Sequence, residues 1–158
     1  MKITFVLPET SNTGGVRAIA MYSELLAARG HEVLLISQPL PTIPLKKQVK
    51  SLLKGRGWIS TKDWQSSHIN QIKNVRHTVL EQRRPVVASD VPDADVILAT
   101  WWETARWVHD LPASKGAKVH FVQHHETVFD NQPVERVKAN LALPLSKICC
   151  ARWIADVL

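Results

Sequence analysis

Short apolar segments recur along this chain with helical patterns between them, and that alternation limits the fold more than any other feature. Six segments predict strands, at positions 2–7, 32–37, 75–80, 95–100, 118–123 and 147–151, and four predict helices, over 16–29, 45–54, 102–111 and 133–141. Val33-Leu34-Leu35-Ile36 and Val96-Ile97-Leu98-Ala99 are apolar on both faces, as in a sheet covered on both sides. Strand–helix–strand units of this size build a parallel sheet, so the expected fold is α/β with a doubly wound parallel sheet. Ligands of such sheets bind beyond the carboxyl ends of the strands, which directs attention to the residues after Leu7, Ser37, Thr100 and Gln123.

The first helix has the strongest pattern. Val16, Ile19, Ala20, Ser23, Leu26 and Ala27 share one face at three- and four-residue spacing, and Gly30 follows as the terminating residue. Before it, Pro8 to Val16 form a polar loop with paired glycines, Gly14 and Gly15, between a strand and a helix start. Backbone N–H groups and the positive end of the helix dipole converge there, and glycine lets the backbone turn tightly against a ligand. An anion site follows, phosphate first, with a plain strand-to-helix turn as the alternative. Arg17 in the first turn either pairs with such a phosphate or is a surface residue.

At 158 residues, with 45% hydrophobic and 22% charged residues, the chain has the size and composition of one globular domain and not of a disordered segment. Lys2 is followed by too short an apolar run for a signal peptide, and no stretch is long enough to span a bilayer, so the expected location is cytoplasmic. Cys149 and Cys150 are adjacent in a strand pattern and point to opposite faces, which predicts buried free thiols and neither a disulfide nor a metal site.

The net charge of +6 is concentrated: Lys46, Lys47, Lys50, Lys54 and Arg56 fall within positions 45–56, which contain no acid. If helical, this segment places Leu45, Val49, Leu52 and Leu53 on one side and Lys46, Lys47, Lys50 and Lys54 on the other, with Pro44 suited to the helix start. Such a basic amphipathic helix either faces an anionic membrane or packs its apolar stripe on the domain. No nucleic-acid motif accompanies the charge, so no nucleic-acid partner is expected. Positions 38–84, with Pro39, Pro41, Pro44, the Gly55-Arg56-Gly57 break, Trp58 and Trp64, read as an irregular excursion.

Two phosphate-binding readings drop out. The first turn lacks a Gly-x-Gly-x-x-Gly and the second strand ends Ile36-Ser37-Gln38 without the acid that holds a ribose, and Lys54-Gly55-Arg56-Gly57 is no triphosphatase loop. What remains is a resemblance. Met1-Lys2-Ile3-Thr4-Phe5-Val6-Leu7-Pro8 with Gly14-Gly15-Val16-Arg17, then Leu25-Leu26-Ala27-Ala28-Arg29-Gly30-His31-Glu32-Val33, Phe121-Val122-Gln123-His124-His125-Glu126 and Ile148-Cys149-Cys150-Ala151-Arg152-Trp153-Ile154 resemble, in that order, the N-terminal half of family 4 retaining glycosyltransferases.

The resemblance implies one half of a GT-B fold: a Rossmann-like, acceptor-side domain over 1–151, with 152–158 starting the helix and linker toward a donor-binding domain. It implies transfer of a sugar from a nucleotide-sugar donor, gripped by that further domain, to a glycan or lipid-linked acceptor. It implies no cofactor and no catalytic metal, the nucleotide-sugar being a substrate. The alternative is a stand-alone Rossmann-like module that binds a phosphorylated or sugar ligand. Glu24 and Glu32 match the spacing of the family's Glu-x₇-Glu donor signature, but one is mid-helix and the other opens a strand, so the match is accidental.

By the same resemblance His124 matches the histidine that reaches the donor sugar, with His125 as the alternative if the register slips by one. A solvated loop histidine is the competing reading. Trp101 and Trp102 stack on a sugar at the cleft mouth or pack on the neighbouring helix, one of them expected only to pack, with Glu103 beginning that helix. Glu126 accepts a bond from an acceptor hydroxyl or is a loop carboxylate in solvent. The triplet of His124, His125 and Glu126 is not a metal site, because adjacent residues rarely converge on one ion. Trp153, Ile154, Val157 and Leu158 read as an apolar helical face with nothing to bury it.

Overall fold

A computed structural model describes residues 1–59, 67–129 and 132–158. The strands are β1 (Lys2–Leu7), β2 (Glu32–Ser37), β3 (Arg76–Val79), β4 (Val96–Ala99), β5 (Ala117–Val122) and β6 (Ser146–Cys149). The helices are α1 (Gly14–Ala28), α2 (Leu45–Leu53), α3 (Trp102–Asp110), α4 (Val134–Leu141) and α5 (Arg152–Asp156). All strand pairs are parallel and the order is β3-β2-β1-β4-β5-β6. This is a Rossmann-like doubly wound sheet, and its winding reverses between β1 and β4.

One face of the sheet, built by Phe5, Leu7, Leu35, Leu98 and Phe121, buries the stripe of α1 through Val16, Ile19 and Ala20. The other face, built by Val6, Ile36, Ile97 and Ala99, buries α3 through Ala105 and Val108. Both faces are therefore covered, which is why β2 and β4 are apolar on both sides. Thr13 starts α1, its hydroxyl accepting from the Val16 amide at 3.4 Å. At the other end Gly30 takes φ +85°, its amide donating to Ala27 O and that of His31 to Leu26 O, a Schellman stop that a residue with a Cβ would strain.

The excursion expected over 38–84 contains α2, a 3₁₀ turn at His68–Gln71 and the edge strand β3. Trp64 lies outside the described residues. The other edge, β6, leaves Ile148 half exposed. At the chain's end, Ile154 is buried with Trp102, Val122, Val137 and Leu141, unlike the unsupported face expected there, while Trp153, Val157 and Leu158 are exposed. Among the described residues no helix is long and apolar enough to cross a membrane.

Candidate functional site

The carboxyl ends of β1, β4 and β5 adjoin at the point where the winding reverses, and three connections meet there. The first is the start of α1. Gly14 and Gly15 are the first two helical residues and neither takes a positive φ. Gly15 permits a close approach. A Cβ on Gly15 would sit 3.3 Å from Gln123 Oε1, while one on Gly14 would meet nothing within 4 Å. Arg17 is exposed one turn in, and α1 has no acidic residue in its first turn, so the helix start favours an anion.

The second connection follows β4. The Thr104 hydroxyl accepts from the amides of Thr100 and Trp101, both at 3.0 Å, and donates to Trp101 O at 2.8 Å, which fixes the strand-to-helix turn. This locked turn sends the two tryptophans in different directions. Trp102 is 3% exposed, packs on Val122, Val137, Leu141 and Ile154, and donates Nε1–H to Gln132 at 3.1 Å, with the Arg136 guanidinium 5.4 Å above its ring. It is a core residue, and a stacked sugar has no access to it. Trp101 is half-buried, 5.8 Å from Phe129 centroid to centroid, and Glu103 is half-buried in the first turn of α3.

The third connection follows β5. Gln123 packs on Gly15, its backbone oxygen accepts from the Cys150 thiol at 3.0 Å, and it ties the β5 end to both the first and last connections. His124 is half-buried between aromatic rings, 4.9 Å from Phe129 and 5.7 Å, edge-on, from Trp153. Its Nδ1 lies 3.3 Å from His125 O and donates to it, so Nε2 is the acceptor nitrogen of the neutral ring. His125 turns instead to the Thr127 hydroxyl, 2.7 Å from its Nδ1. The two histidines have different surroundings: His124 faces the aromatic cluster and His125 its own loop.

Glu126 differs from both readings of it. It is neither solvated nor presented to a ligand, but 1% exposed, with a backbone bond from Trp102 as its partner and Oε2 without one. Burial pushes its carboxyl up to about 8, the Trp102 amide pulling weakly the other way. At neutral pH it is a protonated acid joining the β4 and β5 connections. Behind it in β5, His120 is fully buried, held neutral by burial and by Lys147, with its pKa lowered to about 4.

The cysteines also depart from expectation, since Cys150 is exposed and Cys149 half-buried, both free. Among the described residues no group of three or more His, Cys, Asp or Glu is placed to hold a metal ion. Lys46, Lys47, Lys50 and Lys54 are all exposed on α2 and its cap, in the connection that leaves β2. The sequence missed Phe129, which frames His124 although nothing in its spacing marks it, and gave Trp153 only a packing character. Compared with known proteins, the chain matches no family model, no curated protein and no solved structure.

Proposed function

We propose that this domain is the acceptor-side half of a retaining, GT-B-type glycosyltransferase. A sugar passes from a nucleotide-sugar donor to a hydroxyl of a glycan or lipid-linked acceptor, and a second Rossmann-like domain of the enzyme supplies most of the grip on the donor. The observation that carries this reading is the setting of His124, at the carboxyl end of β5, flanked by Phe129 and Trp153 and one residue from the Gln123 that packs on Gly15. Aromatic faces suit the apolar faces of sugars, and an imidazole among them offers a directed hydrogen bond to a sugar hydroxyl. Trp101 and Glu103 line the acceptor side. Glu126 and Trp102 act beneath, by holding the two connections together. On this reading the chemistry takes place in the cytoplasm and needs no cofactor, the nucleotide-sugar being a substrate.

In the enzyme that contains both domains, His124→Ala lowers kcat by about a hundredfold or more with an unchanged melting temperature, the scale of losing one hydrogen bond realised in the transition state. The 158-residue domain alone folds and transfers no sugar. A folded His124→Ala enzyme with unchanged kcat, or turnover by the isolated domain, refutes the reading. A second reading, a binding module for a phosphorylated or sugar ligand, is favoured by the glycine-led start of α1 with exposed Arg17, which needs no partner domain. It predicts that the isolated chain binds a sugar phosphate and loses it on Arg17→Ala, measured by titration calorimetry.

A further inference from the structure

The helix α2 carries three distinct sides. At 3.6 residues per turn, Leu45, Val49, Leu52 and Leu53 share one arc of about 100°, and Lys46, Lys47, Lys50 and Lys54 occupy the next. Gln48 and Ser51 take the remaining arc, and this polar side is the one turned to the protein. Gln48 is 5% exposed, its Nε2 donating to Ile59 O at 3.1 Å and its Oε1 accepting from the Ile59 amide at 2.9 Å. The Ser51 hydroxyl donates to Gly57 O at 2.8 Å.

A second Schellman stop makes this return possible. The Gly55 amide donates to Leu52 O and that of Arg56 to Ser51 O, with Gly55 and Gly57 at φ +68° and +74°. The chain then runs back along the polar side and caps it. The result inverts the usual arrangement of an amphipathic helix. Leu45 is 71% exposed, Val49 45%, Leu52 48% and Leu53 84%, so the stripe does not pack on the sheet. Trp58, on the returning chain, is 61% exposed.

We infer that α2 is a docking helix for an anionic lipid surface, with its leucine stripe in the headgroup–acyl boundary and its lysines against the phosphates. Charge selects this occupant. Positions 45–56 hold five cations and no acid, and among the described residues none of the five is in an ion pair. Two copies packed stripe to stripe would bring lysines of like sign together along the seam. A polyanion in solution would satisfy the lysines and leave the leucines in water. An anionic bilayer meets both, since its charge lies directly above its hydrocarbon. The inference does not depend on sugar transfer.

Sedimentation of the full chain with vesicles tests it. The chain pellets with phosphatidylcholine vesicles containing phosphatidylserine at low ionic strength, remains in solution with pure phosphatidylcholine, and is released by salt. Lys46→Gln with Lys47→Gln, Lys50→Gln and Lys54→Gln weakens binding by about a hundredfold or more. Leu52→Ser with Leu53→Ser weakens it as well, and both variants keep the parent's melting temperature because every altered side chain is exposed. Failure to pellet with the anionic vesicles, equal binding to neutral ones, or full binding by either variant overturns the inference. So does a concentration-dependent dimer that the leucine variant abolishes in a chain that ignores vesicles.

Discussion

The helices α1 and α2 follow neighbouring strands and carry the same kind of apolar stripe, yet they use it in opposite ways. α1 buries Val16, Ile19 and Ala20 on the sheet and turns Met21 and Leu25 outward, while the half-exposed Tyr22 sets its ring edge-on to the buried Phe121. α2 buries a glutamine and exposes its leucines. Periodicity thus specifies which residues share a face and says nothing of what that face meets. The decision lies in the connections. α1 is bound tightly between Thr13 and Gly30, with β1 and β2 adjacent, whereas α2 is held by hydrogen bonds to the chain that returns along its polar side.

The contrast is sharpest in stability. Ile19→Ala removes a 2% exposed side chain from the α1 stripe and is expected to destabilise the fold by about 2–5 kcal/mol in urea unfolding, with m unchanged. A loss near zero would mean that α1 is as loosely seated as α2. A second effect tests the buried side at α3. Glu126 has a folded pKa of about 8, raised above its ordinary 4.5, so its contribution is complete below pH 4.5 and is lost as pH rises toward 8. His120, depressed to about 4, contributes in the opposite sense, its share growing as pH rises from 4 to 6.5 and complete beyond. Between pH 6.5 and 8, Glu126 acts alone of the two, and stability falls by about 2 kcal/mol. Glu126→Gln flattens that window, and a slope retained in the variant would assign it elsewhere. The smallest effect is Leu53→Ala in α2, within about 0.5 kcal/mol of the parent. A larger loss would show that the stripe is covered by the protein itself.

Much of the fold was legible because strands and helices obey local periodicity. β1 and β2 have the predicted boundaries to the residue, and α3 and α4 agree within one. Strand ends were harder: β3 and the inner β4 each stop one residue short of their patterns at both ends, and β6 ends two residues early, because the sequence pattern continues past the last paired residue. Placement was legible where a residue follows a strand end, as at His124 beyond β5. It was illegible where burial reversed polarity. Glu126 and Gln48 are polar letters in loop-like or basic surroundings, and only the fold reveals that both are enclosed. Trp101 and Trp102 are identical in sequence, and the hydroxyl of Thr104, which fixes the turn between them, separates a half-buried residue from a core residue.

The position of β1 has a consequence in time. Of the six strands it is made before the other five, and it is an inner strand of the finished sheet, paired on one side with β2 and on the other with β4, where Ile3 meets Val96. At translation rates of roughly 5–20 residues per second, several seconds pass before that second neighbour exists. Through that interval the β1–β2 ribbon presents an open hydrogen-bonding edge and a bare apolar face. The nascent chain is then most exposed to mispairing, and a cellular holdase has most to gain by binding it.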